Sequence, residues 1–360
     1  MSLFSPSLHF TYLAKLYFKN LFSILFGLSF AFAMIDYFQS IQELHGSFNV
    51  KILYIFYKWQ EALGLLYPLA IVFAVIMTKL SLIKSNTMGA FHAFGYDKKK
   101  LFRPIFTVAL LTYFSFLLLH STDFSYAKDK AKLLRKNQTS TYKVEDVFFK
   151  YEDTFIYINK LEPITQTITD MTIFKIREHQ VAYTIHAPYA VFENQEWIAY
   201  DAIVKTHFYE DKNLLKYKIE HKKRIATLEG YRPNIIESLY EGKAFNILDA
   251  LHTWKLLNKQ SLNTDKIRAI FYEKVITPLF SLALLLILFF KLPFHARMMN
   301  TGLVVAFSLS LTFITWGLLF GLGQMSANGA LLPELTVILP ISLLLIYASI
   351  LYKTNEKSLS

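Results

Sequence analysis

Six apolar runs stand three before and three after a single polar block, and no other feature constrains the fold as strongly. The runs are Asn20–Phe38, Ala62–Leu82, Pro104–His120, Val275–Leu292, Thr301–Gly321 and Leu335–Tyr352. Each is near the roughly 20 residues that cross a bilayer's hydrocarbon, where a helix satisfies its own backbone. The expected fold is a membrane α-helical protein of six transmembrane helices with an inserted aqueous domain. It divides into residues 1–121, 122–268 and 269–360.

Composition agrees, since 54% hydrophobic and 16% aromatic residues exceed what a soluble chain carries, while 18% charged residues leave enough polarity for a folded domain in water. The formal charge of +11 would suit nucleic acid, but topology accounts for many of the basic residues first. Lys79, near the end of the second run, and Lys84, Lys98, Lys99, Lys100 and Arg103 cluster ahead of the third run, whereas the turn before Glu334 has neither Lys nor Arg. By the positive-inside rule that loop is cytoplasmic, with Lys15, Lys19, Lys291, Arg297, Lys353 and Lys357. Both termini are then inside and residues 122–268 outside, with no nucleic-acid partner expected. The Ser40–Glu61 connection is uninformative, because Lys51 and Lys58 face Glu43 and Glu61. No small-residue cleavage pattern follows the first run, so that span is expected to be retained. With zero cysteines there is no disulfide and no thiol chemistry.

Much of the polar block alternates as β structure: Val144–Lys150, Thr154–Lys160, Thr165–Arg177, Val181–His186, Tyr189–Glu193, Glu196–Tyr200, Ala202–Tyr209 and Leu214–Glu220. Glu152-Asp153, Asn194-Gln195 and Asp211-Lys212-Asn213 supply turns. The pattern predicts an all-β, jelly-roll-like domain. Asn246 then caps a short helix through Leu257. Such a domain is either an apolar-lined trough for a lipid or a recognition module that only stabilises the spans.

Motifs of chemistry are missing. Gly242-Lys243 lacks the other residues of a phosphate loop, and there is no His-Glu-x-x-His helix or Gly-x-Ser-x-Gly elbow. No catalytic residue, metal site or cofactor is expected. Asn137-Gln138-Thr139 matches the glycosylation pattern, as short motifs do by chance. The basic loop is more informative: Ser85 can cap a short helix through Ala93 and Gly95 can end it. It has the form of a cytoplasmic coupling helix, about residues 84–95, or else of a basic membrane anchor. Asp36, near the outer end of span one, and Glu273 with Lys274, before Pro278, are candidate polar gate or cavity residues, or solvated interfacial charges. Lys128, Lys130 and Lys132, with Arg135 and Lys136, form a basic linker able to attract phosphates.

Several of these segments together resemble the LptF/LptG (YjgP/YjgQ) permeases of lipopolysaccharide transport. Met34-Ile35-Asp36-Tyr37-Phe38 is similar to the LptG form of span one, and Ala90-Phe91-His92-Ala93-Phe94-Gly95 to the family's coupling helix. Ile185-His186-Ala187-Pro188-Tyr189-Ala190-Val191-Phe192 with Trp197 resembles its strand pair, and Leu332-Pro333-Glu334 with Leu339-Pro340 its last span. The resemblance covers nearly the whole chain and leans to LptG. It implies an ABC transporter permease, without enzymatic activity of its own, in the inner membrane of a Gram-negative cell envelope. The partners it implies are a paralogous permease, the cytoplasmic ATPase LptB, and the periplasmic jelly-roll proteins LptC and LptA. It assigns ATPase coupling to Asn86, Thr87, His92 and Gly95, and lipid phosphate contact to Lys128, Lys130 and Lys132. Two departures stand out: Thr87 beside Asn86 replaces a family Glu, and Ala31–Phe38 lacks the lysine common in LptG. Either the paralogous permease supplies that charge or Lys128 and Lys130 do, the second being favoured. A membrane enzyme acting on a lipid or glycan is the alternative.

Overall fold

The computed structural model describes residues 7–44, 46–135, 144–151, 154–163, 165–177, 180–210, 213–233, 236, 245–259, 263–293 and 300–354. Six helical stretches among them are long and apolar enough to cross a bilayer. The first three are α1 (Leu8–Ser40), α2 (Phe48–Lys84) and α4 (Lys98–His120), with the short α3 (Thr87–Ala93) between the last two. Span four is built from α7 (Asp265–Val275) and α8 (Leu279–Lys291), and span five is α9 (Thr301–Ala327). Span six opens with a π-helical turn, Glu334–Ile338, and continues as α10 (Leu339–Thr354). Glu152-Asp153, Lys136, Asn137-Gln138-Thr139, Asp211-Lys212, Gly242-Lys243, Arg297 and Lys357 lie outside the described residues.

Helices α1 and α2 begin well before the apolar runs that reveal them. Residues Phe48–Glu61 continue α2 with a mixed face that buries Tyr54 against Leu44, Ala131 and Leu134. Hydrophobicity finds the lipid-embedded part of a helix, whereas this extension is held by protein. Helix α5 (Ala127–Arg135) supplies the packing partner, with Ala127, Ala131 and Leu134 turned inward.

The apolar part of α2 beyond Ala62, and α8, are buried on most sides and lie at the centre, whereas α1, α9 and α10 leave a face to the surroundings. Phe18, Phe22, Phe26 and Phe30 form a stacked ladder along the exposed face of α1. Breaks in the central helices have local partners, as a dry layer requires. Pro68 has no N–H for the Gly64 carbonyl, which binds His120 instead. Pro278 ends α7, and Tyr113 Oη donates to the Val275 carbonyl at 2.7 Å. At the other end of α8, Lys79 Nζ is buried and reaches the carbonyls of Phe289 and Leu292, each at 2.5 Å. Donors there satisfy carbonyls that the helix end leaves without intrahelical partners.

The inserted block is a six-stranded antiparallel sheet in the order of the chain: β1 (Val144–Tyr151), β2 (Thr154–Glu162), β3 (Thr167–Arg177), β4 (Gln180–Glu193), β5 (Glu196–Glu210) and β6 (Asn213–Thr227). The expected all-β domain is present, with β4 and β5 each fusing two of the shorter strands read from the sequence. Asn194 and Gln195, at φ of 50° and 72°, close the β4–β5 hairpin, the pattern of a two-residue turn that matches strand twist.

One transverse row interrupts every strand. Asp146, Asn159, Asp170, Pro188, Asp201 and Lys223 lie opposite one another across the sheet, by the register on either side. Asp146, Asp170 and Asp201 have φ of 56°, 58° and 50°, a left-handed conformation that Asp enters more readily than most residues. Pro188 brings no N–H to its neighbours. The buried parity changes at the row: Ile168 against Met171 and Ile173 on β3, Ala187 against Ala190 on β4, and Ala199 against Ala202 on β5. Every strand spends one residue in this row, so the parity of its buried face shifts there while the register is kept, and the buried residues of both halves join one core.

Helix α6 (Ile247–Lys259) ties this sheet to the spans. Asn246 caps it as expected, its Oδ1 accepting the Asp249 N–H at 2.6 Å. Leu256 packs on the sheet's core, Trp254 lies against Phe271 and Tyr272 of α7, and Asp249 accepts from Tyr126 at the end of span three.

Candidate functional site

Three places in this frame gather the candidate residues. The first is α3, the short helix between spans two and three. Met88 is buried and Phe91 packs beside Tyr96 and Tyr12, so one face is anchored on the helical core. The other presents Asn86, Ala90, Ala93 and a fully displayed Phe94, 80% exposed. Asn86, not Ser85, is the N-cap, at φ 53° with no side-chain cap bond. Ser85 instead closes α2, its hydroxyl bonded to the Ser81 carbonyl at 2.9 Å and to Thr87 Oγ1 at 2.7 Å. Side-chain bonding of that hydroxyl back to the preceding turn belongs to the end of α2 rather than to the start of α3. The C-terminus follows the expected pattern: Gly95, at φ 74°, donates to the His92 carbonyl and Tyr96 to that of Phe91, each at 2.9 Å. That double closure is a Schellman motif, which favours glycine at its left-handed residue. Asn86, Thr87, His92 and Gly95 thus sit on one compact element, and Phe94 joins them as a residue the sequence pattern did not single out.

The second place is the end of the spans next to the sheet, where the candidate polar residues separate into distinct networks. Asp36 accepts from Tyr54 Oη at 2.5 Å and pairs with Lys58 at 3.1 Å, and Lys58 also meets Glu61 at 2.9 Å. Asp36 is thereby committed to α2. Lys58 also stands where span one lacks a lysine, although it is held by two carboxylates. The sequence hid it by placing it in a loop, while the Lys58–Glu61 spacing was the available helical signal. Lys274 Nζ donates to Ser125 Oγ at 3.3 Å, beside His120, whereas Glu273 has Lys274 and Lys128 as its charged neighbours. Lys130 pairs with Asp123 at 3.6 Å and lies over the Tyr57 ring. Lys128 and Lys132 are exposed one turn apart on α5. A further lock was not foreseen: Arg268 binds Asp265 and Glu334, and Tyr272 Oη donates to Glu334 at 3.2 Å, joining span four to the start of span six.

The third place is the buried face of the sheet. Ile173, Ile185, Ile225 and Leu228 line a cavity of about 340 Å³, with Lys175 and Tyr183 among its polar neighbours. Below it, Trp197 is fully buried and donates to the Tyr231 carbonyl at 2.6 Å. At the junction of span three with α6, Tyr126 Oη bonds Asp249, and burial, reinforced by that carboxylate, pushes the phenol well above its ordinary range. Among the described residues no group of His, Cys, Asp or Glu has the arrangement of a metal site.

A family model described as lipopolysaccharide export system permease LptF/LptG matches residues 11–354, nearly the whole chain. No curated protein matches the sequence.

Proposed function

The chain belongs to the LptF/LptG family of lipopolysaccharide export permeases, and from that premise we propose that it is the membrane subunit of an ABC transporter driven by a separate ATPase. It is a multi-pass membrane protein, which we assign to the bacterial inner membrane with both termini cytoplasmic and residues 122–268 periplasmic. In this reading α3 couples to the ATPase LptB through Asn86, Thr87, His92 and Gly95, with Phe94 as the side chain offered to the partner's surface. A paralogous permease completes the lipid cavity. The sheet accepts acyl chains on its apolar side and passes them to LptC and LptA by adding strands at an exposed edge. Lys128 and Lys132 meet lipid phosphates near the membrane surface, while Asp36, Glu273 and Lys274 set polarity where the lipid leaves the bilayer.

The observation that carries the reading is the union, in one chain, of six spans with a sheet joined to them through α6, whose open trough has an apolar floor of Ile173, Ile185, Ile225 and Leu228 and polar neighbours including Lys175, Glu196 and Glu229. Reconstitution in vesicles with and without the ATPase tests it. ATP-dependent release of lipopolysaccharide is expected only with both, and release that persists after removal of residues 144–227 would eliminate the trough from the route.

A further inference from the structure

We infer that β6 forms a phosphate-binding lip on the trough, in which Lys216, Lys218 and Lys222 hold the anionic headgroup of an amphiphile whose acyl chains lie on the apolar floor. The assignment follows from strand register. Residues directly opposite in an antiparallel pair share a face. Ala202, fully buried in the trough core, is opposite Lys222, and the next inward positions pair Val204 with Glu220, Thr206 with Lys218 and Phe208 with Lys216. On the other flank of β5 the same positions face Ala187, Ile185 and Tyr183 of β4. The floor is therefore apolar across the inner strands and becomes charged at its last one. Side-chain contacts agree with this face: Lys216 Nζ lies 5.8 Å from the Phe208 ring, and Lys218 Nζ meets Glu220 at 2.7 Å.

The chemistry of the row favours one kind of ligand. Lys216, Lys218 and Lys222 are exposed, and β6 is an outer strand of the sheet. Lys216 lies over the Phe208 ring, and a lysine that rests its stem on apolar surface with its charge in water suits an interface between grease and anion. Three cations face a single carboxylate, so the rim attracts negative charge. Lys216 and Lys218 are about 7 Å apart along the strand and can share one phosphate, whereas Lys222 stands roughly 13 Å beyond Lys218. That spacing suits a headgroup with two separated phosphates better than a single small anion.

The inference rests on the proposed role of the trough, so its test must separate the two. The full chain in lipid nanodiscs, carrying a photoreactive residue at position 204, is exposed to bisphosphorylated lipid A, to its dephosphorylated form, and to sodium phosphate as competitor. The phosphorylated lipid should label about tenfold more strongly, a difference equivalent to roughly 1.4 kcal/mol. Combined Lys216→Gln, Lys218→Gln and Lys222→Gln should abolish that preference and retain labelling by the dephosphorylated lipid, and the corresponding arginine variant should keep the preference, which controls for folding. Equal labelling by both lipids in the unmodified chain would overturn the lip and leave the trough reading intact. Absence of labelling by either would overturn both. Loss of the preference at sodium phosphate concentrations equal to the lipid's would mean a bare anion site, and the headgroup assignment would fail.

Discussion

The same chemical change at two glycines of α3 should act with opposite sign. Gly95 is at φ 74° and a Cβ there would meet nothing within 4 Å, so Gly95→Ala carries no steric contact and its whole cost is conformational. An L side chain in the left-handed region costs about 1 kcal/mol, and more when β-branched. Gly89 lies inside the helix, also with nothing within 4 Å of its added Cβ. There alanine removes unfolded-state freedom and should stabilise the helix by about 0.5–1 kcal/mol. Since 1.4 kcal/mol is a factor of ten, the folded population of a marginal seven-residue helix should change several-fold in each direction. Hydrogen exchange at the two closing amides, those of position 95 and of Tyr96, reads this directly: faster in Gly95→Ala, slower in Gly89→Ala. Coupling of ATP hydrolysis to lipid release should follow the same order, with Gly95→Val lowest. Shifts of the same sign at both positions, or unchanged exchange in Gly95→Ala, would refute the assignment of α3 as a helix held by its Schellman closure.

A Cβ at Gly64 would approach His120 Cε1 to 2.9 Å, so Gly64→Ala should lower thermal stability by about 1–3 kcal/mol, whereas Gly27→Ala, in open space, serves as the neutral comparison. Lys79→Met leaves the Phe289 and Leu292 carbonyls without their buried donor, and denaturation in detergent should register a loss of about 2–5 kcal/mol. Tyr126 has a raised pKa from burial and Asp249, so the unfolded chain loses its phenolic proton first and stability should fall as pH rises above about 10. Tyr126→Phe should flatten that alkaline limb in a series of melting curves.

The spans were legible because a dry bilayer forces long apolar helices, and the strands because half-buried sheets alternate. Where reading failed, tertiary contacts had replaced the simple pattern. The gaps left between Val181–His186 and Tyr189–Glu193, and between Glu196–Tyr200 and Ala202–Tyr209, fall on the transverse row of Pro188 and Asp201. Alternation changes phase there, and a change of phase looks like the end of a strand. Lys58 was hidden by the polar start of α2, which is amphipathic toward α5 rather than toward lipid. Asp36 was visible as an acidic residue in a span, yet its partner could not be read without knowing that α2 begins at Phe48. Asn86 displaced Ser85 as the cap because Ser85 is itself the last residue of the α2 turn, and the break in the backbone falls one residue later, at the left-handed Asn86.

The transverse row also limits how the inserted sheet can change its length. Deleting a single residue at Asp170 or Asp201 would turn one half of that strand inside out, sending Met171 and Ile173, or Ala202 and Val204, toward water. Insertions are harmless only at the hairpin tips, where no inward face is defined. The trough can thus lengthen to suit a bulkier cargo by growing at its rim, while its spine has to keep a fixed count.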